Sequence, residues 1–527
     1  MRMRGLVLAV LLFGVPALPA NAESVLRRVI AADLTSVDPH LIGNEYETIV
    51  TSDLFEGLTV YGPDATIRPG VAERWDLAPD GRSYVFHLRP GLTWSDGSPL
   101  TAADFVYSLR RALDPATGSP YNEILYPIAG ARAIAEGTVK DPATLGVTAL
   151  DPVTLRIALD RPAAFLPAVL AHSMAFPVPE AAIQRWGKDW IRPEHFIGDG
   201  AFTLGEWVPQ SRLTFRRNPH YHAAASVGLD RIDWLVISDD ASAYKAFRTG
   251  EVDIADLAVR LLPEARREVS AALHEQHLLN SRYVEINMAR PPLATDRRLR
   301  EALALALDQT AIETKVVKQG GTPAFSFVPD GMPGYIPPRQ DFAALPMADR
   351  LARARQIWAE AGQGRDHPLT LEFLTDDLPD YVLEAKAIAA LWQQALPGLT
   401  IKLDTNEYQV VTARLIRHDY QISLSSWNAD FPDPWNFLAA WRRDAGTTNV
   451  IAYRNAGYEA ALDRAQNLLD PAPRMAQLAA AERLLLDDYA ILPYGFGSDR
   501  ALVAAAASGW QANALGIHLS RYMSLTR

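Results

Sequence analysis

The chain has 527 residues, more than one compact core holds, so two or three domains are expected. A hydrophobic fraction of 49% excludes wholesale disorder, and a formal net charge of -11 argues against nucleic acid or an anionic membrane as partner. There is no cysteine, so the fold holds without disulfides and no lipid-bearing cysteine can anchor the protein.

At the N-terminus, Arg2 and Arg4 precede the apolar run from Leu6 to Phe13, and Ala20-Asn21-Ala22 has the small-x-small form of a cleavage site. This is the pattern of a secretory signal peptide over residues 1–22, cut before Glu23. Gly14, Pro16 and Pro19 break the apolar stretch short of a bilayer span. The mature protein is therefore expected free in an extracytoplasmic space, the periplasm of a Gram-negative cell, and not as a lipoprotein.

Val25 to Ile30 reads as a first strand, and the loop Asp33-Leu34-Thr35-Ser36-Val37-Asp38-Pro39 follows. Glu45 to Phe55 has helical spacing and stops at Glu56-Gly57. Tyr84 to Leu88 alternates as a strand and ends at Pro90-Gly91. Thr101, with Asp104 three residues on, opens a helix that carries Phe105, Leu109 and Leu113 on one face. Pro142 and Pro152 flank strand-like runs. Tyr283 to Met288 alternates as a strand, and Ile491 to Gly497 is strand-like with two glycines. Ala304 to Val317, Ala348 to Ala361 and Glu384 to Leu396 are the clearest helices of the second half.

After the strand-like run Tyr420 to Leu424, Pro432 and Pro434 forbid both helix and central strand. Asp430 and Asp433 lie there among Trp427, Phe431, Trp435 and Phe437. A carboxylate in aromatic surroundings is costly to desolvate unless a cation meets it. Two readings stand: a surface turn whose aspartates cap the next helix, or a loop that presents one carboxylate to a cationic ligand group in a cleft.

No His-Glu-x-x-His motif or phosphate loop is present. Ser242-Ala243-Tyr244-Lys245 fits Ser-x-x-Lys without its partner motifs and reads as a helical surface stretch. His220 and His222 lack a third ligand and read as a solvated pair. No enzyme activity, cofactor or metal is expected.

Three segments, Val71 to Trp75, Tyr84 to Gly91 and Trp94 to Ser108, agree in order, spacing and residue type with one signature. It resembles that of the periplasmic oligopeptide- and dipeptide-binding receptors of ABC importers, the extracellular solute-binding proteins of family 5. Gly198 to Phe202, Trp207, Arg217 to Tyr221, Arg248 to Asp253, Tyr283 to Asn287, Asp296 to Leu303 and Trp427 to Pro434 continue the resemblance over nearly all of the mature chain. The oligopeptide-binding proteins look nearest within the family.

The resemblance implies an α/β periplasmic-binding-protein fold with two ligand-clamping lobes and an extra small lobe. Lobe I would be residues 23–45, 189–282 and 498–527, lobe II 46–188 and lobe III 283–497, with the hinge between lobes I and III. The function implied is capture of peptides in the interdomain cleft and their delivery to an inner-membrane ABC permease, by a monomer. A same-fold receptor for a murein peptide, an opine, haem or a nickel chelate is the alternative, because fold does not fix function.

By the resemblance, Asp430 meets the ligand's α-ammonium, and Ser426 and Asn428 lend backbone groups to the peptide. Asp33, Leu34 and Thr35 form the lobe I loop at its other edge. Tyr121 is a ligand-facing tyrosine of lobe II and Trp427 a pocket wall. Tyr494 and Phe496 are the aromatics of a wall where the family often shows several tyrosines. The family's basic groups for the α-carboxylate fall here on Val317, Pro379 and Leu424, with Leu415 nearby, none of which carries charge. Lys315, Lys318, Arg414 and Arg417 lie close in sequence and are candidate substitutes.

Overall fold

The computed structural model describes residues 23–526; the signal-peptide reading over 1–22 lies outside them. The first part of the chain supplies β1 (Val25–Ile30), the hairpin β2 (Thr59–Tyr61) and β3 (Ile67–Pro69), then β4 (Ala72–Leu77), β5 (Ser83–Leu88), β6 (Val147–Asp151) and β7 (Thr154–Ala158). The last four make a separate antiparallel sheet in the order β4-β5-β7-β6. Its β5 alternates between buried and half-buried residues, as its spacing predicts. The helix Ala102–Leu113 buries Phe105, Leu109 and Leu113 and opens on a capping box made by Thr101 and Asp104.

Next in the chain come β8 (Phe202–Val208), β9 (Arg212–Arg217), β10 (Arg231–Val236), β11 (Ile254–Asp256), β12 (Leu273–Ile286), β13 (Thr322–Pro323), β14 (Leu369–Asp376), β15 (Leu399–Asn406), β16 (Ile422–Asn428) and β17 (Ile491–Val503). With β1 they form one mixed sheet in the order β15-β14-β16-β12-β17-β11-β1-β10-β9-β8, and β13 adds to β17. The antiparallel pair β12 and β17 belongs to both halves of this sheet. Leu273–His277 pairs with Ser498–Leu502 on the side of β11, and Ser281–Glu285 with Ile491–Phe496 on the side of β16. Each half has its own core: Leu26, Phe55, Trp190, Phe215 and Trp234 in one, Ile286, Leu303, Trp358, Phe373 and Trp392 in the other.

Both crossing strands are longer than the runs expected at Tyr283 to Met288 and Ile491 to Gly497. The reason is two slips of register. Between His277 and Ser281, β12 has extra residues against β17, and between Gly495 and Pro493 the extra residue is Tyr494 on β17. A bulge flips the side-chain alternation, so the period of two is lost where the strands run on.

Other boundaries also differ. The expected helix Ala304 to Val317 is broken: Arg297–Ala306 ends at the extended Leu307, Asp308 caps a new turn by accepting from the amide of Ala311, and a π-helical turn spans Ile312–Val317. Apolar residues continue across the break, and only the cap marks it. The helix expected from Glu384 begins at Pro379, which suits a first helical position. The helix Glu45–Leu54 ends at Phe55, ahead of Glu56-Gly57. Glu56 is instead a buried acceptor for Tyr221, His222 and Arg521. His222 Nε2 lies 2.7 Å from it, so His220 and His222 are not a solvated pair. Ser242 does lie on an exposed helix turn, bonded to its cap Asp239.

Glu285, on β12, is 2% exposed, and its carboxyl is pushed up to about 8 by desolvation against the pull of the Ser425 hydroxyl. From its ordinary value of 4.5 up to about 8, the folded protein keeps a proton that the unfolded chain releases. Stability is therefore expected to fall as pH rises through this window, and Glu285→Gln is expected to flatten the fall. Thermal denaturation of both proteins at about pH 5 and about pH 8 checks this; equal pH dependence in the two would refute it.

Candidate functional site

β16 pairs with β12 along its whole length, from Ile422 to Asn428. On its other side β14 pairs with it only at Ile422 and Ser423. Among the described residues, no strand covers that second edge beyond Ser423, so it presents free backbone groups. The loop with the two aspartates grows from the end of this strand, pinned by the Ala429 amide donating to Leu279 O at 2.8 Å.

The two carboxylates differ in kind. Asp433 accepts from the Trp435 amide at 2.9 Å, as a helix cap does, and from Arg474 at 2.6 and 2.9 Å. Arg474 is buried. Asp430 accepts from Asn436 Nδ2 at 2.6 Å, and among the described residues no Lys, Arg or His forms an ion pair with it. Asn436 also accepts from Trp427 Nε1 at 2.8 Å and from the Asp430 amide at 3.2 Å, so one buried amide fixes the wall and the carboxylate together.

Asp430 faces the small-sheet part of the chain. Tyr61 donates to its carbonyl oxygen at 2.9 Å. The Tyr121 phenol is raised well above its ordinary value by burial, then by the charge of Asp430 and a hydrogen bond to it. Burial lowers His172, whose ring lies tilted against Tyr121 with centroids 5.7 Å apart, and Asp430 opposes that shift. Burial raises the Glu123 carboxyl, and Asp430 adds to it. Phe431 and Trp435 stack on Phe165, with centroids 5.2 and 5.8 Å away, and hold the loop in place. The result is an anionic corner with hydrogen-bond donors whose carboxylate forms no ion pair among the described residues.

A cavity of about 30 Å³ lined by Tyr61, His172, Phe176 and Asp430 adjoins this corner. A larger one of about 350 Å³ is lined by Trp75, Phe165, Leu279, Pro432 and Asp433. The loop carboxylate in the larger space, Asp433, already has its arginine, whereas the smaller space meets Asp430 at one side and the Glu56–Arg521 pair at the other.

The other expected residues divide. Ser426 Oγ shares a 2.9 Å hydrogen bond with the Tyr381 hydroxyl, and Asn428 Oδ1 accepts from Asn280 at 2.7 Å. The Asp33 side chain is committed to Trp207 at 3.3 Å and the Gln210 amide at 2.6 Å. Leu34 is buried, and the Thr35 amide and hydroxyl both donate to Glu47. The Asp33 and Thr35 side chains are thus engaged within the protein, and it is the backbone of that loop that can meet a ligand. Tyr494 is buried in the core of the β16 half with its hydroxyl on Glu384, and Phe496 is buried on β17. Val317 and Leu424 are core residues too, and Arg414 is held by Glu372 and Asp404. Lys315, Lys318 and Arg417 are exposed. Asn436, Tyr61 and His172 were missed by the sequence reading. Asn436 has a signal, an amide just after a proline-started turn, whereas Tyr61 and His172 arrive from distant segments.

A family model for the bacterial extracellular solute-binding proteins, family 5 Middle, matches residues 66–449. The periplasmic oligopeptide-binding protein OppA of Escherichia coli is 33% identical over 525 residues, 96% of this chain and 94% of that one. The probable deoxycholate-binding periplasmic protein YgiS of Escherichia coli is 33% identical over 90% of this chain and 88% of its own. The unliganded open form of the murein tripeptide-binding protein MppA superposes with a TM-score of 0.84 at 30% identity, covering 95% of this chain and 97% of that one. The chain has the α/β periplasmic-binding-protein fold of these structures and belongs to the bacterial extracellular solute-binding proteins, family 5.

Proposed function

We propose that this protein is a periplasmic receptor that captures peptides between the two halves of its large sheet and delivers them to an inner-membrane ABC permease. The family consists of transport receptors, not enzymes. Peptides of any sequence share an α-ammonium, backbone amides and an α-carboxylate. The open edge of β16 offers backbone to backbone, as strand addition requires, and water can fill loosely held side-chain pockets. In this reading Asp430 takes the ammonium, with Tyr121 and Trp427 as walls, Ser426 and Asn428 at one peptide edge and the backbone of Asp33 to Thr35 at the other.

The observation that carries the reading is Asp430, a carboxylate without an ion-pair partner among the described residues, three residues before Asp433, which has one. Identity alone does not choose the ligand, since relatives at 33% are named for oligopeptides and for deoxycholate. A ligand without an ammonium has no use for this corner. Native mass spectrometry of the purified protein tests the reading: peptide masses are expected. Calorimetry adds the chemistry, since N-acetylation of a bound peptide should abolish most of its affinity.

The lobe division of residues 23–45, 189–282 and 498–527 against 283–497, with 46–188 as the small lobe, makes β12 and β17 the hinge. A ligand that touches both lobes favours the closed state. Small-angle scattering should show a smaller radius of gyration on peptide binding by a monomer; an unchanged radius, with prior ligand removal verified, would count against the hinge. A murein peptide is the second reading. The MppA likeness and the apolar Val317 and Leu424 favour it, and its mass would identify it.

A further inference from the structure

Arg282 lies on β12 at the centre of the sheet and is 9% exposed. It pairs across the strand with Ser426, one of the candidate site residues, and with Gly495 on β17. Paired residues share a face of the sheet, so the guanidinium stands on the face of Ser426, whose hydroxyl bonds Tyr381. Among the described residues its ion-pair partner is Glu313, whose two carboxylate oxygens accept from Nη2 at 2.6 and 2.7 Å. Nε is buried with no hydrogen-bond partner among the described residues.

The surrounding backbone is cut to fit this pair. A Cβ on Gly495 would stand 1.7 Å from Glu313 Oε1 and 3.1 Å from Arg282 Nη2, and one on Gly321 would stand 2.9 Å from Nη2. Glu313 itself sits in the π-helical turn Ile312–Val317, a geometry frequent at functional sites. A buried guanidinium N–H without an acceptor costs free energy unless a further group meets it, and a ligand is one such group. The charged and titratable groups that act on this pair are Glu384, Tyr381, Tyr494 and Arg500.

We propose that Arg282 is a specificity-determining residue that receives an anionic group of the ligand, the α-carboxylate of a short peptide, and that Glu313 holds its place until the ligand arrives. This rests on the peptide reading above. Ser426 precedes Asp430 by four positions, a reach of at most about 13 Å at about 3.3 Å per extended residue, since β16 ends at Asn428. A ligand with its ammonium at Asp430 thus brings its carboxylate level with Arg282 at about four residues. Desolvation pushes the Glu313 carboxyl up to about 7, with Arg282 opposing, so it can take a proton when the ligand carboxylate replaces it.

The test is calorimetry with one tetrapeptide as free acid, C-terminal amide and N-acetyl derivative, on wild type, Arg282→Gln and Glu313→Gln. Wild type is expected to prefer the free acid over the amide by about tenfold or more, the effect of a hydrogen bond to a charged group. Arg282→Gln should bring that ratio to within about twofold of unity. Glu313→Gln should strengthen free-acid binding by about threefold or more with little change for the amide, because a competitor for Arg282 has lost its charge. A pair that only props up the fold cannot give this last gain, so the proposal stays testable if Arg282→Gln does not fold. A wild-type ratio near unity, an Arg282→Gln protein that keeps the preference, or a Glu313→Gln protein with no gain overturns it. If N-acetylation still abolishes binding in that case, the peptide reading stands and only Arg282 loses its role; if no form of the peptide binds, both fall.

Discussion

Asp430→Asn should weaken peptide binding by about two to four orders of magnitude. Asparagine keeps the shape of the corner and can still meet Asn436, so the change removes charge and little else. In the complex it leaves a buried ammonium without its counter-charge, which costs about 3–5 kcal/mol, at about 1.4 kcal/mol per tenfold in Kd. The free protein should suffer little, because Asp430 has no ion-pair partner among the described residues, an amide oxygen can still accept from Asn436 and Tyr121, and losing the charge relieves the raised Glu123 carboxyl. Melting temperature should therefore hold or rise slightly while affinity collapses. N-acetylation should cost wild type a similar amount and cost the variant little more, since the two changes remove the same interaction. Calorimetry on ligand-stripped protein decides the matter: an affinity within about threefold of wild type places the anchor elsewhere.

What the sequence made legible follows from where each signal lies. β1, β5 and the helix from Ala102 were readable because alternation, apolar spacing and the Thr101–Asp104 cap are local. The aspartate loop was readable as a candidate because prolines and aromatics crowd one short stretch, but its two carboxylates looked alike. What separates them is Arg474, 41 positions beyond Asp433 and on another helix. The bulges between β12 and β17 were hidden for a similar reason. Their register is fixed by β17, with Ser281 opposite Phe496, and no local pattern records a partner so distant. Arg282 and Glu313 lie 31 positions apart in segments patterned as core, and only the glycines at 321 and 495 reserve their space. Lys315, Arg414 and their neighbours lie near the aligned positions in sequence, but Lys315, Lys318 and Arg417 are exposed and Arg414 is held by other acids.

Arg474→Met should have the opposite profile from Asp430→Asn: a large loss of stability, with binding lost only as folding is lost. Arg474 is 4% exposed, donates to both oxygens of Asp433, and lies 5.9 Å over the ring of Phe165. That ring in turn stacks on Phe431 and Trp435, so the ion pair and the aromatic stack lock one loop to two parts of the chain. Methionine fills the space without charge and strands the Asp433 carboxylate with only the Trp435 amide as donor. Breaking a buried pair from one side costs about 3–5 kcal/mol, and the melting temperature should fall by several degrees. Adding Asp433→Asn to Arg474→Met should recover part of the loss, because the stranded charge is then gone; the two effects are coupled through one contact and should not add. Thermal denaturation of the two single variants and the double variant checks this. A single Arg474→Met protein that melts with the wild type would mean that Asp433 is satisfied by water in place of its arginine. The division of labour between the two aspartates, one for the fold and one for the ligand, would then lose its physical basis.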